Sequence, residues 1–493
     1  MAAAASVALC IVSHTNAGKT TLARTLLERE IGEVRDEPHV TEIAESHLLL
    51  ETAQGDVLLL WDTPGFGDSA RLVSRLSKAD SPVGWMLREL WDRYRDRPFW
   101  CSQQAMRAAR DSADVVLYLA NAAEDPRDAA YVAAEMQILR WIGKPVLLLL
   151  NQLGPPRPAA EEGAEEERWR AQVAPLALVR EVLSFDAFAR CWVQEGVLLA
   201  AVETQLPAEK RDAFVRLTAA WTARSLARFD GAMDILAGEL ARAARDREPV
   251  GADPRPGLAQ RVLNSLGLAA RGGDAARELA IEALAKRLES ETRAATQQLI
   301  GLHALQGSAS AIVLQRVREP YAGSGHIEEG RAAAWGGIVS GALSGLVADL
   351  AAGGLTLGAG MLAGGILGAL GGAGIARGYN MIRGSAEPAI GWGVPSLDSL
   401  AAAAILRYLA VAHFGRGRGA YLDTEAPPFW RDEVIRALDR RKETLHALWE
   451  NAVAGEDAEQ IRQDLRLTLA AATADVLNRL YPGRVPAVLL QRI

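Results

Sequence analysis

The segment Ser13-His14-Thr15-Asn16-Ala17-Gly18-Lys19-Thr20 decides how the first part of the chain folds. An apolar run before it, Val7–Val12, predicts a buried strand, and the helix formers of Thr20–Glu30 after it place leucines at helical spacing. A strand, a glycine-containing loop and a helix in this order predict a phosphate-binding loop, because backbone N–H groups and the positive end of the helix attract an anion. Lys19 would then reach the β- and γ-phosphates, and the Thr20 hydroxyl would ligate Mg²⁺.

The loop and the start of its helix supply most of the residues that we expect to bind nucleotide. They are Ser13, Thr15, Asn16, Ala17, Gly18, Lys19, Thr20 and Thr21. Ser13 stands where the usual pattern has its first glycine, so the match is one residue short. Taken alone, the Gly-Lys-Thr turn could also be an ordinary strand-to-helix connection. The prediction of a phosphate-binding loop therefore needs support from a second motif.

That second motif is Asp62-Thr63-Pro64-Gly65-Phe66-Gly67-Asp68, which follows a strand predicted for Asp56–Trp61. We expect Asp62 to bind nucleotide-associated Mg²⁺ through water, and the Gly65 N–H to contact the γ-phosphate. Thr41 lies in the polar segment where a nucleotide switch places a hydroxyl on Mg²⁺ and the γ-phosphate, although a plain loop threonine fits equally well. The candidate catalytic residues are therefore Lys19, Thr41 and Gly65, and the candidate metal ligands are Thr20, Thr41 and Asp62.

Further buried strands are predicted at Val115–Ala120, Pro145–Leu150 and Val197–Ala201, separated by helical segments. This alternation predicts an α/β fold with a doubly wound, mostly parallel sheet and a ligand at the carboxyl ends of its strands. Asn151 and Gln152 follow one of these strands, where we expect residues that bind the nucleotide base.

On these motifs, residues 1 to about 205 resemble a small P-loop GTPase domain of the Era/TrmE-like group. The resemblance rests on Asn16 ahead of Ala17-Gly18-Lys19-Thr20 and on Asp62-Thr63-Pro64-Gly65. It implies GTP and GDP as ligands, Mg²⁺ as cofactor, and a K⁺ ion that Asn16 could help to bind beside the phosphates.

Two positions depart from this group. The base motif Asn-Lys-x-Asp is Asn151-Gln152-Leu153-Gly154 here, so no local carboxylate accepts hydrogen bonds from guanine, and the use of adenine or of both bases stays open. Phe66 stands where Ras-like enzymes have a water-positioning glutamine. We therefore expect slow hydrolysis unless a monovalent cation, a protein partner or a second protomer supplies the missing group.

The second informative segment is 332–376, with fourteen glycines and a single charged residue, Asp349. Gly337, Gly341 and Gly345 repeat every four residues, as do Gly360, Gly364, Gly368 and Gly372 in the second half, so each set shares one helix face. Each half is long enough to cross a membrane as a helix, which predicts a helical hairpin in contact with lipid. A glycine-rich hairpin buried in a soluble fold is the alternative.

The remaining chain is rich in amphipathic helical patterns. We expect a GTPase domain (1–205), a helical domain (206–330), the glycine-zipper hairpin (331–384) and a C-terminal helical region (385–493). The whole chain resembles a bacterial family that joins an Era-like GTPase domain to a helical, glycine-zipper C-terminal domain of unknown function.

Composition limits the partners. The formal net charge of −7 leaves no basic surplus for nucleic acid, and three widely spaced cysteines suggest a reduced compartment. We expect a cytoplasmic GTPase associated with the inner membrane, whose nucleotide state controls the helical domain. The alternative function is a membrane-inserting scaffold or remodelling protein that binds GTP or ATP with little turnover.

Overall fold

The computed structural model describes residues 4–28, 44–67, 69–78, 96–154, 156–176, 178–187, 191–249, 272–305, 379–382, 389–414, 427 and 429–491. These residues form two compact units. The first comprises the described residues of Met1–Ala227, Ala412–Glu425 and Leu480–Ala487, and the second those of Arg228–Val411, Ala426–Arg479 and Val488–Ile493. The predicted domain boundaries stay predictions.

The described chain alternates strands and helices up to α6 and is mainly helical afterwards. Its elements are β1 (Ser6–Ser13), α1 (Lys19–Leu27), β2 (Glu45–Glu51), β3 (Val57–Asp62), α2 (Ser69–Leu76), α3 (Arg97–Asp111), β4 (Val115–Asn121), α4 (Ala130–Ile142), β5 (Val146–Asn151), α5 (Ala159–Val173), β6 (Val179–Ser184), α6 (Trp192–Gln205), α7 (Ala208–Arg245), β7 (Arg247–Pro249), α8 (Gly272–Leu302), β8 (Tyr379–Ile382), β9 (Ala389–Trp392), α9 (Val394–Ala412), α10 (Phe429–Asp439), α11 (Lys442–Ala454), α12 (Ala458–Leu480) and α13 (Ala487–Leu490).

The first unit is built on one six-stranded sheet with the order β2-β3-β1-β4-β5-β6. The pairs from β3 to β6 are parallel, and β2 pairs antiparallel with β3. The order reverses direction beside β1, so the carboxyl ends of β1, β3 and β4 lie next to one another there, the usual place for a ligand in such sheets. The predicted doubly wound α/β fold is confirmed.

Both faces of this sheet are covered. In β1, Leu9 and Ile11 lie in a core with Leu22 of α1, whereas Cys10 and Val12 lie in a second core that includes α2 to α5. Since successive strand residues point to opposite faces, a strand made of an apolar run such as Val7–Val12 has both of its faces buried.

The predicted strand at Val197–Ala201 is wrong. These residues lie in helix α6, and the sixth strand is β6, Val179–Ser184. A short apolar run fits a buried helix as well as a strand. In the edge strand β6, the charged residues Arg180 and Glu181 hide the apolar pattern.

The second unit is helical, as predicted, with a small antiparallel sheet of order β7-β9-β8 that the sequence did not indicate. A buried ion pair joins Glu239 of α7 to Arg407 of α9, and Thr292 of α8 donates a hydrogen bond of 2.9 Å to the same carboxylate. Glu239 thereby links the three helices α7, α8 and α9. Removing either charge of the ion pair would leave the other buried and unpaired, which is strongly destabilising.

Several predictions fall outside the described residues, namely Thr41, Asp68 and the hairpin segment 332–376. Within the described part of the chain, one helix, α9, is long and apolar enough to cross a membrane, with a mean hydropathy of 1.4. Most of it is buried in the protein (72% of its apolar window), as is usual for the core helix of a globular domain.

The turn between β2 and β3 is attached to α7 by a buried carboxylate. Asp56 is fully buried and accepts hydrogen bonds from Arg216 Nε at 2.7 Å and Nη2 at 2.8 Å, and from the N–H of Ala5 at 3.1 Å. The hydrogen bonds from Arg216 are the largest cause that lowers the pKa of Asp56 from 3.8 to about 2. The carboxylate therefore stabilises the folded state fully above pH 3.8, and this contribution is lost as the pH falls through about 2.

We expect Asp56→Asn to lower the unfolding midpoint at neutral pH, because Arg216 loses its charged partner. The difference from the wild type should stay constant on mild acidification and shrink below the unfolded pKa of 3.8. Urea unfolding at a series of pH values measures it, with the exposed Glu51→Gln of β2 as control. A difference that grows on acidification would contradict this reading.

Candidate nucleotide-binding site

The loop between β1 and α1 is shaped by two residues in the left-handed region. Asn16 has φ 63° and Gly18 has φ 90°. A Cβ on Gly18 would lie 2.7 Å from Asn151 Nδ2, so both the backbone conformation and the close approach require glycine. Gly18 caps α1, which begins at Lys19, and the first N–H groups of the helix therefore follow directly after the loop. Such a helix start favours a bound anion.

Lys19 is buried under this loop. Its Nζ donates hydrogen bonds to Ser13 Oγ at 3.1 Å and to the carbonyl of His14 at 3.3 Å. Burial lowers the pKa of Lys19, while the nearby carboxylates of Asp62 and Glu135 raise it. An ammonium in such surroundings is stabilised by an added anion.

Thr20 and Asp62 form the second part of the site. Thr20 Oγ1 donates a 2.7 Å hydrogen bond to Asp62 Oδ2, whereas Asp62 Oδ1 is buried with no hydrogen-bond partner among the described residues. Burial is the largest cause that raises the pKa of Asp62 to about 6. A hydroxyl and a carboxylate oxygen side by side are the hard ligands that Mg²⁺ prefers, and a cation would satisfy the buried Oδ1. These two residues therefore fit a magnesium ion.

The segment after β3 lies against the phosphate loop. The N–H of Phe66 donates to the carbonyl of Ser13 at 2.8 Å, and a Cβ on Gly65 would lie 3.0 Å from Lys19 Nζ and 2.8 Å from Thr15 Cα. Only glycine allows this approach. The ring of Phe66 is fully buried in the core. It therefore cannot orient a water molecule in the site.

Asn151, at the carboxyl end of β5, connects two loops. Its Nδ2 donates to the carbonyl of Ala17 at 2.8 Å, and its Oδ1 accepts from the N–H of Ala187 at 2.8 Å. Gln152 is held in the left-handed region at φ 60°, and its Nε2 lies 3.5 Å from the carbonyl of Asn16.

The structure brings together the predicted site residues of the phosphate loop, Asp62, Gly65 and the base motif. Ala17 and Thr21 are buried around the loop, while Thr15 is partly exposed. Thr41 is the exception, since it lies outside the described residues. Which of these residues bind nucleotide, metal or the γ-phosphate stays a prediction.

Sequence reasoning missed Glu135 of α4, a fully buried carboxylate beside the site. It accepts hydrogen bonds from Ser69 Oγ at 2.6 Å and Tyr118 OH at 2.7 Å, and its Oε1 lies 2.7 Å from Nδ1 of His14. The carboxylate thus joins the phosphate loop to the start of α2. The available signal was a single acidic residue on the apolar face of α4, next to Met136.

Asp186, in the connection after β6, was also missed. It is buried, and its Oδ2 accepts a 2.7 Å hydrogen bond from the N–H of Leu153 in the base motif. An acid that directly follows a parallel strand is a candidate ligand-binding residue. Asp186 was not recognised as one because the sixth strand was predicted at Val197–Ala201 instead of at β6.

Two family models match this chain. One, described as "Domain of unknown function (DUF3482)", matches residues 170–471, which is more than half of the chain. The other, described as "50S ribosome-binding GTPase", matches residues 8–152. A comparison with curated proteins finds no match.

A comparison with solved structures finds chains similar to this one. Era in complex with MgGDPNP and part of 16S ribosomal RNA is 16% identical with a TM-score of 0.31, covering 60% of this chain and 89% of its own. An Aquifex aeolicus Era variant bound to GDP and aluminium fluoride is 15% identical with a TM-score of 0.30, covering 58% and 88%. NFeoB from S. thermophilus, bound to mGMPPNP, is 14% identical with a TM-score of 0.24, covering 60% and 93%.

We expect Glu135→Ala to destabilise the first unit, because each buried donor left without an acceptor costs about 1–3 kcal/mol. Thermal unfolding of the full chain should show an earlier transition. The control is Gln137→Ala, an exposed residue of the same helix, which should leave the transition in place. Equal melting of the two variants would show that the Glu135 hydrogen bonds contribute little.

Proposed function

Since the chain belongs to the DUF3482 family and its N-terminal domain is a P-loop GTPase domain, we propose that it hydrolyses GTP to GDP and phosphate as a Mg²⁺-dependent switch. The nucleotide state would control a membrane-associated helical domain. The observation that carries the proposal is the cluster at the start of α1, in which Lys19, Asp62 and Gly65 are buried and Thr20 is half-buried.

In this proposal each residue of the cluster has one task. The N–H groups at the start of α1 bind phosphate oxygens, and the buried Lys19 ammonium exchanges its contacts with Ser13 and His14 for the β- and γ-phosphates. Thr20 and Asp62 hold Mg²⁺, which would neutralise charge on the phosphates when bound. The N–H of Gly65, beside Lys19, would donate a hydrogen bond to the γ-phosphate, and this contact would be lost when the γ-phosphate is released.

Slow turnover follows from Phe66. Because its ring is buried in the core, the chain supplies no side chain at that position to orient the attacking water. A K⁺ ion near the exposed Asn16, a protein partner or a second protomer would supply the missing stabilisation.

A conformational change caused by the nucleotide would be transmitted from the phosphate loop to α2 through Glu135. Its hydrogen bonds to His14 and Ser69 couple the phosphate loop to α2, so a change at the phosphates biases the position of that helix. Helix α7 is anchored at Arg216 to the β2–β3 turn of the same unit.

We expect Lys19→Ala to weaken binding of fluorescent GTP by at least about tenfold and to abolish hydrolysis, since a charged hydrogen bond contributes about 1.5–3 kcal/mol. Titrations in Mg²⁺ followed by phosphate release measure both. Lys144→Ala, just before β5 at the opposite end of the strands, is the matched control and should behave as the wild type.

The phosphate-release assay is run in K⁺ and in Na⁺, and the two rates are compared. Phosphate release that is faster in K⁺ than in Na⁺ supports the cation role. Tight nucleotide retention with no turnover in either buffer would favour the scaffold alternative. Hydrolysis by Lys19→Ala at the wild-type rate, or no triphosphate binding by the wild type, would overturn the proposal.

Localisation at the inner membrane is the second part of the proposal, and it rests on the glycine pattern of 332–376. We expect the protein to float with anionic liposomes, and Gly341→Leu with Gly364→Leu to reduce flotation, because bulky residues separate helices that pack through glycine. Gly163→Leu, at a site with open space around the Cβ, is the control. A wild type that never floats would indicate that the hairpin is a soluble element.

A further inference from the structure

The second unit contains a cavity of about 510 Å³, whose walls come from α7, α8, β9 and α12. This volume lies within the range of about 300–1,000 Å³ that is typical of small-molecule sites. One part of the wall is apolar, with Ala241 of α7, Leu288 of α8 and Trp392 of β9. The rest is formed by charged side chains, among them four arginines. An apolar wall with a few charged groups is the usual lining of a ligand pocket.

Two of the four arginines are occupied by carboxylates. Arg287 of α8 forms ion pairs with Asp246 at 2.9 Å and with Glu248 at 2.6 Å. Arg462 of α12 donates to both carboxylate oxygens of Glu459, through Nε at 2.9 Å and Nη2 at 2.6 Å. These ion pairs hold the wall of the cavity in place, and we assign neither arginine to a ligand.

The other two arginines, Arg242 and Arg245, lie in the last turn of α7 and both line the cavity. They are three residues apart and therefore share one face of the helix. Arg242 is exposed over 53% of its side chain, and its Nε lies 2.6 Å from a carboxylate oxygen of Glu291. Among the described residues this is its one hydrogen bond. Because an arginine carries five N–H donors, the two Nη groups of Arg242 can still bind a ligand.

The Nη groups of Arg242 lie at the cavity because of Gly238, one helical turn earlier. Gly238 lines the cavity, and a Cβ at this position would lie 3.3 Å from Arg242 Nη1. The missing side chain therefore leaves space for the guanidinium at the cavity wall.

Arg245 has no acidic partner in the described part of the chain. Its Nη1 donates to the backbone carbonyl of Glu456, and the residue is half-buried. The carbonyl accepts a hydrogen bond but carries no negative charge, so the charge of the guanidinium is not balanced there. An anion in the cavity would supply the missing charge and would form the stronger hydrogen bonds that two ionised groups make.

We propose that this cavity binds a phosphate group, carried by a small molecule or by a lipid headgroup, and that Arg242 and Arg245 hold it. The planar fork of an arginine can donate to two phosphate oxygens at once. The apolar wall at Leu288 and Trp392 would contact the group that carries the phosphate. This site belongs to the second unit alone and does not depend on nucleotide binding at the phosphate loop.

The soluble probe is phenyl phosphate, and a phosphorus NMR titration of the full chain measures its affinity. It should bind more tightly than inorganic phosphate, because its ring can contact the apolar wall. Arg245→Gln should lower the affinity for phenyl phosphate by about tenfold to a hundredfold, since a hydrogen bond between two charged groups is lost.

Glu291→Gln should have the opposite effect. It removes the carboxylate that competes with the phosphate for Arg242, so the affinity for phenyl phosphate should rise by about twofold to fivefold. Damage to the fold cannot produce such a gain. Arg436→Gln, at an exposed position of α10 outside the cavity, is the matched control and should bind as the wild type does. Lys19→Ala should also keep the wild-type affinity, because the phosphate loop belongs to the first unit.

Vesicles of phosphatidylcholine with and without phosphatidic acid distinguish the two sources of the phosphate group. Flotation that requires phosphatidic acid and that Arg245→Gln reduces would identify a lipid headgroup. Equal flotation of the two proteins, together with the expected changes in phenyl phosphate affinity, would identify a soluble phosphate ester. If Arg245→Gln and Glu291→Gln change neither the affinity nor the flotation, the inference is overturned, and the GTPase proposal stands.

Discussion

The side-chain amide of Asn151 is the interaction on which the site depends. One atom of it holds the phosphate loop at Ala17 and the other holds the connection after β6 at Ala187. Because it is fully buried, both contacts are made in a low-dielectric environment, where an unpaired amide is costly. The close approach of Gly18 to the same amide explains why the loop has no room for a side chain there. Asn151 therefore connects the phosphate loop directly to the connection after β6.

Buried charge is the second constraint. Lys19, Asp62 and Glu135 lie around the phosphate loop, and none of them is exposed by more than 7%. Under the proposed function, an anion beside Lys19 and a cation beside Asp62 would stabilise charges that the fold holds away from water. The burial of Phe66 would slow hydrolysis under the proposed function, because no side chain at that position can orient the attacking water. Under the proposed function, tight binding and slow unassisted turnover would both follow from this packing.

Local patterns predicted the fold well and the site in part. The β1–loop–α1 unit could be read from the sequence because its strand, glycine and helix formers are consecutive, and Asp62 could be read because it directly follows an apolar strand. Glu135 and Asp186 could not, since each reaches the site through contacts between residues far apart in the chain. The error at Val197–Ala201 had a similar origin, because an apolar run does not reveal whether it packs as a strand or as a helix. The small sheet of the second unit joins β7 to strands more than a hundred residues later, which no local pattern indicates.

We propose that the cluster at the start of α1 binds a guanine nucleotide with Mg²⁺. Calorimetric titration of the full chain with GTP and with ATP, each with and without Mg²⁺, tests it most directly. We expect saturable binding at one site per chain, tighter for GTP than for ATP, and weaker for both when Mg²⁺ is withheld. Absence of binding for either nucleotide, or affinities that do not change with Mg²⁺, would contradict it.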